Sequence, residues 1–226
     1  MNPDWLERTE LLIGENALQK LQKSKVLIVG LGGVGSFAAE FIARSGVGSM
    51  TIVDGDTVDK TNKNRQLPAL DSTTGHKKAK VMADRIMDIN PDIRLTVIDE
   101  FQKPEDNISL IQNGDFDYVM DCIDSVSPKL YLIKTCYELK QRFISSMGAG
   151  GKTDASKVHV ADISKTYNCP FARTVRKRLK THNIRKGFKV IFNSSDLNKD
   201  SLKLTDGSNF KKSFYGTISY MPHYLV

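Results

Sequence analysis

Apolar positions along the first two thirds of this chain follow two alternating patterns. The run 25–29, apolar from Val26 onward, reads as a strand buried on both faces, and 50–53 as a second strand. Between them Val34, Phe37, Ala38, Phe41 and Ile42 recur at helical spacing, so a helix is predicted over 34–44, ended by Gly46 and Gly48. The same alternation continues with helix 77–89, strand 95–98, helix 105–112, strand 118–121, helix 128–140 and strand 143–146. Asn90-Pro91 stops the first of these helices, and Pro128 sits near the first turn of the last. A short helix over 15–22 precedes the first strand. After Gly148-Ala-Gly-Gly151 the pattern changes to strand 158–163, helix 170–181 and strand 188–192. Residues 193–213 are polar and expected to be mobile.

Alternating strands and helices predict an α/β fold: a Rossmann-like, doubly wound, mostly parallel sheet with helices on both faces and a small C-terminal extension. The expected organisation is an N-terminal helical segment (1–24), a nucleotide-binding domain (25–151) and a C-terminal extension (152–226). At 226 residues the chain can bury a full core without staples. No run of about 18 apolar residues predicts a membrane span, and residues 1–10 lack the apolar stretch of a signal peptide. Three scattered cysteines, Cys122, Cys136 and Cys169, form neither a disulfide framework nor a zinc knuckle, so a reducing cytoplasm is the expected setting.

The net charge of +7 is unevenly spread. Residues 163–195 contain no acid but hold Lys165, Arg173, Arg176, Lys177, Arg178, Lys180, Arg185, Lys186 and Lys189. Such a segment suits a phosphate backbone or is a solvated helix face. Tyr167 and Phe171 flank it and would either stack on bases or join the core.

The first strand runs straight into Gly30-Leu-Gly32-Gly33-Val-Gly35, and a helix follows at once. Glycines there permit a tight turn and close approach of backbone to phosphate, and the helix start offers N–H groups. Asp54 ends the second strand, where a ribose-binding carboxylate belongs. These features alone leave NAD, FAD and ATP open. The next loop narrows the choice. Asp54, Asp56, Asp59, Asn62, Asn64, Arg65 and Gln66 put carboxylates, amides and a guanidinium beside the phosphate turn. Hydride transfer needs none of these, whereas a nucleoside triphosphate with magnesium does. Lys77, Lys78 and Lys80 crowd a helix start, which is electrostatically poor unless an anion binds there. Asp121 and Asp124 close the fourth strand, and Asp54, Asp56, Asp121 and Asp124 are expected to converge at the carboxyl edge of the sheet. The glycine loop 148–151 follows a strand's carboxyl end and is expected to face the ligand.

Taken in order, Gly30-Leu-Gly-Gly-Val-Gly35, Asp54-Gly-Asp56, Asn62-Lys-Asn-Arg65-Gln66, Gly75-His-Lys-Lys78 and Asp121-Cys-Ile-Asp124 resemble the activating-enzyme superfamily that includes MoeB, ThiF and the ubiquitin-type activating enzymes. Arg8-Thr-Glu-Leu-Leu-Ile-Gly14, Ala43-Arg-Ser-Gly-Val-Gly48, Ser145-Ser-Met-Gly-Ala-Gly150, the run from Val160 to Thr166 and the basic stretch from Cys169 resemble its tRNA threonylcarbamoyladenosine dehydratase branch. The resemblance implies ATP and Mg2+ as cofactors. It implies that Gly30, Gly32, Gly33 and Gly35 cradle phosphates and that Asp54 binds ribose, with Asp56 beside it. Asn62, Arg65 and Lys78 would contact phosphate, Gln66 would position the arginine loop, and Asp124 would serve magnesium. Arg8 would reach the partner's site in a homodimer. Arg173, Arg176, Lys177, Arg178 and Lys180 would face tRNA carrying threonylcarbamoyladenosine.

The implied activity is ATP-dependent cyclisation of that modification through its carboxylate. The rival readings are adenylation of a small ubiquitin-like carrier, a nucleotide-sensing scaffold and an NAD-dependent oxidoreductase. The paired C-x-x-C motifs of zinc-binding members are absent, so no structural zinc is expected. Cys169 is the only cysteine outside a predicted element and is expected to be structural rather than a thioester nucleophile. Relatives continue with a further apolar segment beyond the point matching Tyr220-Met-Pro222, whereas this sequence ends at Val226.

Overall fold

The computed structural model describes residues 2–204 and 213–226. Two short helices, α1 (Glu7–Ile13) and α2 (Glu15–Lys23), lead into β1 (Lys25–Val29). There follow α3 (Gly35–Arg44), β2 (Ser49–Val53), α4 (Lys78–Ile89), β3 (Arg94–Ile98), α5 (Pro104–Gly114), β4 (Tyr118–Asp121), α6 (Val126–Glu138) and β5 (Phe143–Ser146). The chain then adds β6 (Val158–Asp162), α7 (Pro170–Lys180), β7 (Lys189–Asn193) and a small pair, β8 (Leu202–Leu204) and β9 (Ser213–Tyr215).

Seven strands form one sheet in the order β3-β2-β1-β4-β5-β7-β6. All neighbours are parallel except β6, which runs antiparallel to β7 along one edge. The segment after residue 151 therefore extends the main sheet. Side chains of β1 alternate between two cores, as a sheet covered on both faces requires. Val26 and Ile28 pack under α3 and α4 with Met50, Ile52, Met82 and Ile86. Leu27 and Val29 face the other core, with Val119, Leu132, Val175 and Leu179 from β4, α6 and α7.

α1 buries none of its residues, which is why no apolar periodicity announced it. The N-terminal segment is anchored instead by Leu6 and Leu18, both buried. A Cβ on Gly46 would stand only 2.7 Å from Leu6 Cδ1. The polar stretch expected to be mobile from 193 is partly built: Lys199–Ser201 form a 3-10 turn, and β8 pairs with β9. Residues 205–212 of that stretch lie outside the described residues. The chain's last turn is docked, with Met221 and Leu225 buried beside Ala149 and Ile191.

The strand order reverses at β1, whose neighbours are β2 and β4. In an open parallel sheet, ligands bind in the crevice outside the carboxyl ends at that reversal. Both the glycine turn after β1 and the loop after β4 open there.

Candidate active site

The glycine turn is shaped by contacts that only hydrogen side chains allow. Gly30 has φ +91°, and a Cβ on it would lie 3.0 Å from the Cys122 carbonyl oxygen. At Gly35 a Cβ would fall 1.7 Å from the Gly30 oxygen, so α3 could not start this close to β1. No side chain caps the start of α3. Its first N–H groups and the turn's backbone are thus suited to an anion. Gly32 and Gly33 face the arginine loop and the C-terminal segment: Gln66 Nε2 lies 3.7 Å from a Cβ built on Gly32, and Pro222 3.1 Å from one on Gly33.

Asp54 stands at the end of β2 and closes over the turn. Its Oδ2 accepts the Leu31 N–H at 2.6 Å, and its Oδ1 accepts the Asp56 N–H at 2.8 Å. Burial pushes the Asp54 carboxyl up, against the pull of the Lys78 charge and those two N–H groups. An ionised carboxylate in that position gains from each further donor, and a ribose diol carries two.

The three lysines near the start of α4 have separate destinations. Only Lys78 turns into the site: it is buried, and its Nζ lies 3.1 Å from Asp56 Oδ2. Lys77 Nζ donates to the Gly55 and Asp99 carbonyls, and Lys80 pairs with Asp84 one helical turn on. The expectation of a three-lysine cluster is thereby corrected.

The loop between β2 and α4 is held by a capping box: Asn62 Oδ1 accepts the Asp59 N–H at 3.2 Å, and Asp59 Oδ1 accepts from the Thr61 N–H at 2.8 Å. Asn62 thus has a structural task, performed by its carbonyl end. The next residues carry the chemistry. Arg65 Nη1 donates to Thr61 O at 3.0 Å and to Asn64 Oδ1 at 2.8 Å, both neutral acceptors. No carboxylate among the described residues pairs with this guanidinium. Gln66 Oε1 is buried and has no donor among the described residues. An unsatisfied buried acceptor costs about 1–3 kcal/mol, so such an atom beside a phosphate turn fits a site that a ligand completes.

Asp121 departs from the expected convergence. It shares the parity of Val119 along β4 and turns away from the crevice, under α6. There its Oδ2 meets Lys129 Nζ at 2.8 Å and accepts the Ser145 hydroxyl at 2.6 Å, with both charged side chains fully buried. Lys129 Nζ also donates to the Ser146 carbonyl at 2.9 Å. Asp124, in contrast, is exposed on the loop after β4, with Ser125 Oγ 3.4 Å away. Neither Lys129 nor Ser145 was expected to take part, since nothing local in the sequence pairs them with Asp121.

Other expected residues distribute as follows. Arg8 is exposed on α1, beside Leu11 and Leu12, which are 80% and 84% exposed. Arg173, Lys177, Arg178 and Lys180 are exposed on α7, whose opposite face buries Ala172, Val175 and Leu179. Arg176 is the exception: it folds back onto Thr166, donating to its carbonyl at 2.6 Å and to its hydroxyl. Its guanidinium is committed to fastening the loop before α7, which corrects its expected place on the RNA-facing surface. In the 148–151 loop, Gly150 and Gly151 pack against Tyr215.

The three thiols are free and poorly suited to nucleophilic work. Burial, then the Asp121 charge, pushes Cys122 up to about 12, and burial raises Cys136 and Cys169 as well. Among the described residues, no group of three or more His, Cys, Asp or Glu side chains is placed to hold a metal ion. No helix among them is long and apolar enough to cross a membrane.

A doubly wound sheet with a glycine-built phosphate turn, a facing carboxylate and a guanidinium that pairs with no carboxylate among the described residues defines a nucleotide-binding α/β protein of the carboxylate-activating class. The chain belongs to the ThiF family, whose sequence profile matches residues 6–219. It is 47% identical over 185 residues to the tRNA threonylcarbamoyladenosine dehydratase of Bacillus subtilis, covering 82% of this chain and 72% of that protein. The molybdopterin-synthase adenylyltransferase of Escherichia coli is 32% identical over 151 residues, covering 67% of this chain and 60% of that one. Among solved structures, the tRNA N6-threonylcarbamoyladenosine dehydratase of E. coli in complex with ATP superposes with a TM-score of 0.88 at 37% identity. That match covers 99% of this chain and 90% of the other.

Proposed function

We propose that this protein is an ATP-dependent enzyme that cyclises threonylcarbamoyladenosine in tRNA with loss of one water. The observation that carries this reading is the conjunction of an arginine without a carboxylate partner and a glutamine without a donor, both among the described residues and next to the phosphate turn, with an exposed basic helix on the same chain.

ATP would supply the activated phosphorus. The turn from Gly30 to Gly35 would hold its phosphates and Asp54 its ribose, while Asp124 would serve a magnesium ion that neutralises phosphate charge. On the adenylation route the substrate's carboxylate attacks the α-phosphorus and pyrophosphate leaves; this brings two anions together, so the protein's task is cationic positioning. Arg65, in the loop between β2 and α4, and Lys78, at the start of α4, supply that charge. No general base is required, because a carboxylate is already ionised at neutral pH. The modification's own carbamoyl group then displaces the phosphate-containing leaving group, which is AMP on the adenylation route. The chain's three thiols, held protonated, take no part.

A homodimer fits the same reading. Leu11, Leu12 and Ile13 are exposed along α1 next to Arg8. A second copy covering them would bring Arg8 toward the neighbouring site.

ATP–pyrophosphate exchange tests adenylation directly. Exchange is expected to depend on tRNA carrying the modification and to be absent with unmodified tRNA. Exchange stimulated by a ubiquitin-like sulfur carrier instead would favour carrier-protein activation.

A further inference from the structure

Outside the nucleotide site, Tyr167 is 56% exposed in the loop between β6 and α7 and yet is fastened on several sides. The residue before it, Thr166, is buried and clamped by Arg176. The residue after it, Asn168, takes φ +49°. Its carbonyl accepts from the buried Lys152 Nζ at 3.0 Å, and its Nδ2 donates to Ser194 O at 3.0 Å. Lys152 also reaches the Ser195 carbonyl, tying this loop to the end of β7.

The ring is held as firmly as its backbone. It stands edge-on to Phe192 with centroids 5.6 Å apart, and it lies 5.6 Å from the His159 ring. The Tyr167 hydroxyl is hydrogen-bonded to His159 Nε2 at 3.2 Å, and that nitrogen also contacts Ser194 Oγ at 2.8 Å. An aromatic side chain left half in water would normally keep its rotamer freedom. Here the buried Lys152, the half-buried Arg176 and a left-handed asparagine fix the loop, and two ring contacts fix the ring. Such preorganisation serves recognition more than it serves the core.

Its location matters equally. Phe192 is near the carboxyl end of β7, and His159 sits opposite it on β6. The ring therefore lies at the same edge of the sheet as the glycine turn. The basic segment begins there as well: Lys165 is two residues before Tyr167, and Arg173 is on the first turn of α7, both exposed.

We infer that Tyr167 is a stacking platform for an unpaired base of the RNA substrate, with Lys165 and Arg173 neutralising the adjoining phosphates. The inference rests on the tRNA reading above and names a recognition residue for it. Base–aromatic stacking depends on the ring face, which every base can use, and its loss weakens binding by about tenfold to a hundredfold.

The test uses the full-length protein and an anticodon stem-loop RNA carrying threonylcarbamoyladenosine, with 2-aminopurine at unpaired positions. Tyr167→Ala should weaken RNA binding and raise KM for tRNA about tenfold or more. The kcat, the affinity for ATP and the salt dependence of RNA binding should stay as in the parent. Tyr167→Phe should keep parental binding and the 2-aminopurine quenching. Tyr167→Leu, which still packs on Phe192 but offers no π face, should behave like alanine. Arg173→Ala should reduce the slope of log affinity against log salt by about one. Parental binding in both Tyr167→Ala and Tyr167→Leu would overturn the platform alone. Loss of binding in Tyr167→Phe equal to that in Tyr167→Ala would also overturn it, assigning the effect to the hydroxyl's bond with His159. Absence of RNA binding by the parent protein would overturn the functional reading on which the platform rests.

Discussion

Arg65→Ala is expected to lower kcat by at least about a hundredfold while leaving most of the affinity for ATP in place. Arg65 is half-buried, its backbone oxygen lies next to Gly33, and among the described residues its guanidinium donates only to the Thr61 carbonyl and the Asn64 side-chain oxygen. In the resting protein it neutralises no carboxylate among the described residues. Its charge is thus available for the negative charge that builds up as one anion attacks another. On the proposed reading ATP would still be held by the glycine backbone, Asp54 and Lys78, so ground-state binding is expected to be less affected than the transition state. Arg65→Lys should recover only part of the rate, because a point charge does not reproduce the guanidinium fork. Single-turnover rates together with ATP binding by calorimetry separate the two effects. A variant with full activity would remove Arg65 from the site.

The second large effect concerns stability. Lys129→Met should destabilise the protein by about 3–5 kcal/mol, because it strands the Asp121 carboxylate in a fully buried position. For a chain of this size that corresponds to a fall of roughly 10 °C in Tm. Removing both charges with Lys129→Met and Asp121→Leu together should recover a large part of the loss, as an apolar pair has no charge to desolvate. Denaturant unfolding of these two variants and of Asp121→Leu alone completes the cycle. A single variant within about 1 kcal/mol of the parent would show that the pair is dispensable. The pair also joins β4, β5 and α6 through Ser145 and the Ser146 carbonyl. Ser146 in turn donates to the Leu225 carbonyl at 2.8 Å. Loosening should therefore reach the chain's last turn over the glycine loop.

Local signals in the sequence were the ones that survived folding. The bounds of β1, β4 and β5 match the expected strands residue for residue, because a strand covered on both faces is marked by a short apolar run whose flanks are polar or glycine. The glycine turn and Asp54 were legible for a similar reason: turn chemistry acts within a few residues. The helices shifted by one or two residues at most ends, where capping competes with fraying. What could not be read depended on partners distant in the chain. α1 buries nothing of its own, so its helix left no periodic trace. β8 is three exposed residues whose pairing is supplied by β9. Asp121 looked like a ligand-edge carboxylate because it closes the fourth strand. Its parity along β4 and the Lys129 side chain from α6 send it into the core instead. Arg176 is indistinguishable from its basic neighbours by composition, yet its place on α7 brings it over Thr166.

The central claim, ATP-driven cyclisation of a tRNA modification, is tested most directly by weighing nucleosides. The pure protein would be incubated with ATP, magnesium and tRNA carrying threonylcarbamoyladenosine, and the tRNA then digested for mass spectrometry. The account predicts a nucleoside lighter by one water that forms only when ATP is present. An unchanged nucleoside mass, with ATP demonstrably bound, would contradict it.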